Sequence, residues 1–121
     1  MRELVQINVG SCGHAISTKY WSMIGKEHSI QDDGTYSGTD DAELLNAQVC
    51  YNQISDTKYT PRSIFVDLDS RSSDEVLGGQ LGKLFSLDDF VCGIGGTQGN
   101  WAKGFYTDGN DLSGRNKYAY L

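Results

Sequence analysis

The chain calls for an α/β fold on a parallel sheet, and three features call for it. Val5-Gln6-Ile7-Asn8-Val9 alternates apolar and polar like a strand, then runs through Gly10-Ser11-Cys12-Gly13 into a helical pattern. A second segment, Arg62 to Asp69, has the continuous apolar centre Ile64-Phe65-Val66, which suits a strand buried on both faces. A third short apolar segment, Leu87 to Cys92, leads into the glycine-rich Gly93-Ile94-Gly95-Gly96-Thr97-Gln98-Gly99-Asn100. Strand, glycine turn and helix form the opening of many nucleotide-binding α/β domains.

The first helix is expected from about Gly13 to Lys26, because Ile16, Tyr20, Trp21 and Ile24 recur at helical spacing. Its first amides, freed by the glycines before it, are suited to an anion, although the turn is neither GxGxxG nor a P-loop. Residues 29–42 carry Ser29, Asp32, Asp33, Gly34, Ser37, Gly38, Asp40 and Asp41 and read as a long loop. Those acids lack the spacing of a calcium loop. Ala42 to Tyr51 fits a short helix or a strand.

The central strand ends in Asp69 and Ser70, and ligands of open α/β sheets sit beyond strand carboxyl ends. A carboxylate there suits Mg²⁺ held through water. It equally suits a cap for a helix starting near Ser72 and Ser73, and on the residues alone the cap is preferred. Asp74 to Phe85 reads as helical but is interrupted by Gly78, Gly79 and Gly82. Residues 93–100 read either as a loop that brings amides against a ligand or as a surface loop. Asn110 to Leu121 has no apolar period and reads as a frayed tail. His14 and His28 have no Ser, Asp or Cys partner at a catalytic spacing.

With 121 residues, one domain is expected. The net charge of -6 and pI near 4.6 argue against sequence-independent nucleic-acid binding and against attraction to anionic lipid. No apolar stretch approaches a membrane span, and the start has no signal-peptide pattern. Cys12, Cys50 and Cys92 are odd in number and widely spaced. They read as reduced thiols of a cytosolic protein rather than zinc ligands.

Several blocks, in order, resemble the tubulin family. Met1-Arg2-Glu3-Leu4 is similar to the family's start, and Gly10-Ser11-Cys12-Gly13 to its first phosphate loop, with the cysteine of the beta type. Glu27-His28-Ser29-Ile30, Gly34-Thr35-Tyr36-Ser37-Gly38 and Lys58-Tyr59-Thr60-Pro61-Arg62 also resemble it. The strongest block is Asn100-Trp101-Ala102-Lys103-Gly104-Phe105-Tyr106-Thr107-Asp108-Gly109, whose Trp101-Ala102-Lys103-Gly104 looks like beta rather than alpha tubulin. The resemblance implies the N-terminal part of a GTPase domain, a Rossmann-like parallel sheet that is incomplete here. Residues 1–109 are expected to be that part and 110–121 a divergent tail.

The resemblance also implies GTP and Mg²⁺ as cofactors. It puts Gly10, Ser11 and Cys12 under the phosphates and base, and Asp69 near the metal. Gly96, Thr97, Gly99 and Asn100 would lie in the loop near the terminal phosphates. It implies a structural constituent of microtubules in the cytoplasm and cytoskeleton, with tubulin subunits or the microtubule as partners.

The departures from the family weaken that site. Ser11 stands where the family has a glutamine, and Ala15 replaces another that helps hold the base. Asp69 replaces a glutamate. Gly99 stands where an asparagine meets the phosphates, and Thr97 and Gln98 replace small residues. The resemblance fades after Gly109, before the family's main glycine-rich phosphate signature and the segment that supplies its catalytic acid. The expectation is therefore a truncated form with impaired nucleotide binding, to which no catalytic residue is assigned. The alternative is a nucleotide-free interaction protein that packs on tubulin or microtubules. A small independent enzyme fits worst, because no acid, base and nucleophile assemble.

Overall fold

The computed structural model describes residues 2–115. Strand β1 (Gln6–Val9) passes directly into helix α1 (Gly10–Glu27). Helix α2 (Asp41–Ala47), strands β2 (Tyr51–Gln53), β3 (Tyr59–Pro61) and β4 (Ser63–Asp67), and helix α3 (Arg71–Gly78) follow. Strand β5 (Phe90–Cys92) comes next. A helix then opens at Trp101, is π-helical over Lys103–Asp108, and continues as α4 (Gly109–Arg115).

The three expected strands form one parallel sheet in the order β1-β4-β5. Ile7 pairs with Ile64 and Asn8 with Phe65, while Phe65 also pairs with Phe90. Parallel neighbours need crossover connections, and here these run through α1 with the β2-β3 hairpin, and through α3. The hairpin is antiparallel, with Tyr51 opposite Pro61. It resolves the ambiguity at 42–51: Asp40 caps α2 by accepting the Ala42 N–H at 2.9 Å, and the strand begins four residues after the helix ends. The preceding loop is held by bridges between Ile30 and Tyr36 and between Thr35 and Lys58.

Helix α1 starts three residues before the expected Gly13, because Gly10 at φ +72° makes the turn alone. Left-handed backbone of this kind is cheap only for glycine. Helix α3 also starts early, at Arg71, and ends at the Gly78-Gly79 pair instead of reaching Phe85. Residues 110–115 of the expected frayed tail are helical. The reason lies upstream, where Asn100 Oδ1 accepts the Lys103 N–H at 3.2 Å and starts the helix that α4 extends. The rest of the expected tail, 116–121, lies outside the described residues.

The core lies between the sheet and α1 and α3. Phe65 is fully buried, stacked on Phe90 at 4.6 Å and edge-on to Phe85 at 4.9 Å. Trp21 packs edge-on to Tyr51 at 5.1 Å, both at zero exposure. Such rings supply most of the apolar burial in a domain this small. Burial on both faces, expected for the central strand, does not hold. The Phe65 face is covered, but Ile64 and Val66 are half-buried, and Ile7 and Val9 are 65% and 69% exposed. In β1 it is the polar Asn8 that faces α1, donating to Ser63 Oγ at 2.8 Å and to the Ile64 carbonyl at 3.1 Å. The alternation is real, but its apolar side points away from these helices.

Candidate phosphate-binding cleft

The carboxyl ends of β1 and β4 open into a cleft of about 490 Å³. Gly10 and Ser11 form one wall, Asp67 to Asp69 with Arg71, Ser72 and Glu75 a second, and Gly95 to Gln98 the third. Five residues expected in a site thus come together from three distant segments: Gly10, Ser11, Asp69, Gly96 and Thr97. Cys12, Gly99 and Asn100 do not line the cleft. Cys12 is exposed, Gly99 turns the loop at φ +79°, and the Asn100 side chain caps the following helix. Arg71, Ser72 and Glu75 line the cleft but were not expected as site residues. Their only signal was their place at a helix start directly after a strand.

A buried relay fixes the first wall. His14 Nδ1 lies 2.6 Å from the Gly10 carbonyl, and its Nε2 lies 3.1 Å from Ser73 Oγ. A carbonyl can only accept, so Nδ1 carries the proton and Nε2 accepts from the Ser73 hydroxyl. Ser73 Oγ in turn lies 3.0 Å from Cys92 Sγ. The relay ties the first turns of α1 and α3 to β5. His14 therefore does have a Ser partner, which in turn meets Cys92, but Ser73 is 59 residues away, so no local spacing could show it. With His14 at 1% exposure, the relay supports the loop rather than meeting solvent.

The third wall is held by backbone. Gly93 N–H donates to the Asp67 carbonyl and Gly96 N–H to the Leu68 carbonyl, both at 2.9 Å. Lys103 Nζ donates to the Gly96 carbonyl at 3.2 Å. Gly96 sits at φ +64°, and a Cβ there would lie 3.3 Å from Asp69 Oδ2. Its role is to let the loop turn close to Asp69, since its own N–H is spent on Leu68.

The second wall carries the charge. Asp69 Oδ1 accepts the Arg71 N–H at 3.0 Å, and Oδ2 accepts Arg71 Nε at 2.8 Å with Nη2 alongside. These bonds to the Arg71 side chain and amide hold the Asp69 carboxyl below the usual carboxylate range. Of the two roles weighed for Asp69, cap or Mg²⁺ carboxylate, the bonds seen are those of a cap: it accepts the N–H of the first residue of α3 and pairs with that residue's side chain. Asp67 Oδ2 accepts Ser72 Oγ at 2.6 Å.

The glycine turns and the uncapped start of α1, where Val9 offers no side-chain acceptor, fit a phosphate group. A Mg²⁺ held by Asp69 fits less well. Both carboxylate oxygens are engaged by Arg71, and among the described residues no group of three or more His, Cys, Asp or Glu is placed to hold a metal.

The model of the Tubulin/FtsZ family, GTPase domain, matches residues 3–117. The chain belongs to this tubulin family. It is similar to the tubulin beta-1 chain of Suillus bovinus, at 46% identity over 93% of this chain and 25% of that one. It is 47% identical to the tubulin beta chain of Schizophyllum commune and 45% to that of Bombyx mori, over the same shares. This tubulin-family chain spans about a quarter of the length of these curated relatives. The matched span includes all three walls of the cleft and the whole of α4. Among the described residues of this tubulin-family chain, no helix is long and apolar enough to cross a membrane.

Proposed function

We propose that this chain is a tubulin-like, GTP-binding constituent of microtubules whose cleft meets the phosphate end of a guanine nucleotide with impaired affinity. The observation that carries the reading is the convergence of Gly10, Ser11, Gly96 and Thr97 on one cleft at the carboxyl ends of parallel strands, in a chain of the Tubulin/FtsZ family. Brought over from the family resemblance, GTP with Mg²⁺ is the ligand, tubulin subunits or the microtubule are the partners, and the cytoskeleton is the location. Hydrolysis is not assigned to any residue of this chain.

Impairment follows from the side chains. Ser11 and Gly99 stand where the family has an amide side chain toward phosphate, and each charge-assisted bond lost is worth roughly 1.5–3 kcal/mol. Two such losses weaken binding by orders of magnitude, at about 1.4 kcal/mol per tenfold. Among the described residues, Asp67, Asp69 and Glu75 line the cleft against the single cation Arg71, which adds repulsion. The test is titration of the purified chain with GTP, read by the amide resonances of Gly10, Ser11 and Thr97. Saturable shifts at micromolar or weaker affinity are expected. Submicromolar binding would refute the impairment, and unmoved resonances would refute the site.

One observation favours a second reading, the nucleotide-free interaction protein. Ile7 and Val9 present exposed apolar side chains beside the half-buried Ile64 and Val66, the kind of patch that packs on another protein surface. Under this reading the chain binds tubulin equally well with and without GTP.

A further inference from the structure

Among the described residues, Arg71 is the one cation lining the cleft, and it stands beside the carboxylate that a nucleotide-bound metal would need. Its side chain is 86% exposed, so it is held by Asp69 and not by burial. The guanidinium uses Nε and Nη2 on Asp69 Oδ2, while its backbone N–H takes Oδ1. A guanidinium has five N–H donors, so donors remain after Asp69 is served. The groups around it are acidic: Asp67 and Glu75 also face it from β4 and from the next turn of α3. Ser11, Gly96 and Thr97 complete the walls around the same space.

We infer that Arg71 is the phosphate counter-ion of this cleft: fixed by Asp69, its guanidinium takes the place of the divalent cation, so phosphate binds here with little dependence on Mg²⁺. The inference rests on the reading of the cleft as a phosphate site and deepens it. Three features make the assignment physical. Arginine's planar fork matches a carboxylate on one edge and an oxyanion on another, which a point charge does not. Asp69 orients the fork and, being so engaged, offers no free oxygen to a metal. Without Arg71, the cleft would present three carboxylates to a polyanion with no cationic side chain among its described lining residues.

The experiment uses the whole chain with two probes, inorganic pyrophosphate and GTP, each in EDTA and in a few millimolar MgCl₂. Binding is read from the amide resonances of Gly10, Ser11 and Thr97. Wild type is expected to bind with affinities that differ by less than about threefold between the two conditions, since Mg²⁺ adds no new contact at Asp69. Arg71→Ala is expected to weaken binding in EDTA by about tenfold or more and to regain affinity with Mg²⁺ at the freed carboxylate. Arg71→Lys, with the charge but not the fork, is expected to fall between. Asp69→Asn removes a negative charge but loosens the fork, two effects of opposite sign, so it is expected to bind in EDTA within about threefold of wild type.

A wild type that binds only with Mg²⁺, an Asp69→Asn that loses that enhancement and an Arg71→Ala equal to wild type would overturn the inference. Asp69 would then be a metal residue and the cleft reading would stand. If neither probe moves those resonances in either condition, the cleft reading fails and the role of Arg71 fails with it. Arg71 is a surface side chain, so its variants are expected to keep the wild-type amide spectrum away from the cleft.

Discussion

Replacing His14 with alanine tests how the cleft is built. The imidazole is at 1% exposure, packs against Phe65 at 5.1 Å, and bridges Gly10 to Ser73. Truncation removes a buried ring, which in cores costs on the order of 2–5 kcal/mol. It also leaves Ser73 with one partner fewer, and a buried polar group that loses its partner costs about 1–3 kcal/mol. A loss of about 3–5 kcal/mol is expected, a large part of the roughly 5–15 kcal/mol that holds a domain. With a urea slope of about 1–3 kcal/mol per molar, the midpoint falls by on the order of 2 M. His14→Leu separates the two contributions, because it keeps the volume and loses only the hydrogen bonds. It should recover part of the loss. A cycle with Ser73→Ala should show coupling of about 0.5–3 kcal/mol, as for groups in one network. The measurement is urea unfolding followed by circular dichroism. If His14→Ala lies within about 0.5 kcal/mol of wild type, or if the cycle is additive, the relay does not hold Gly10 in place.

Two further outcomes are expected. The Asp69 carboxyl, followed by its side-chain carbon resonance, should titrate below the usual carboxylate range, because Arg71 bonds its ionised form, and should return toward that range in Arg71→Ala. A depressed acid contributes stability above its unfolded pKa, about 3.9, and loses it as pH falls through the folded value. The pair thus matters at neutral pH and is lost as pH falls below the usual carboxylate range, and equal midpoints in the two proteins would disprove the pairing. Replacing Ile7 and Val9 together by threonine should reduce self-association measured by light scattering. The unfolding free energy should change by less than about 1 kcal/mol, because threonine keeps the strand preference and these side chains are already exposed. Unchanged association would show that this sheet face is not the sticky one.

The fold was legible where pattern is local. The alternation in 5–9, the apolar run at 64–66 and the glycine turns placed three parallel strands and the long helix within a few residues. The errors arose where single interactions decide. Helix α1 starts at Gly10 because one glycine takes φ +72°. The helix after Asn100 forms because one amide side chain caps it. The β2-β3 hairpin was missed because Tyr59–Pro61 is three residues long and ends in proline, which strands tolerate at their edges and ends. The direction of the apolar side of β1 was not legible either, since alternation shows that two faces differ and not which of them the helices cover.

At the cleft, the glycine turns announced themselves by composition, whereas the charges did not. Asp69 was visible as a carboxylate at a strand end, open to two roles, cap or metal residue. What separates those roles is the side chain two positions on, and its effect depends on a rotamer. Had Arg71 extended into solvent, Asp69 would have kept a free oxygen toward the cleft. Folded back, it engages Oδ2 while its backbone N–H holds Oδ1, and it brings its own positive charge to the cleft. His14 shows the same limit at longer range, since the residue that gives it a purpose lies 59 positions away on another helix. Sequence reading could find the backbone turns that line the cleft, because glycine marks them. The charge that decides what the cleft accepts is set by contacts between side chains, and those have no period to read.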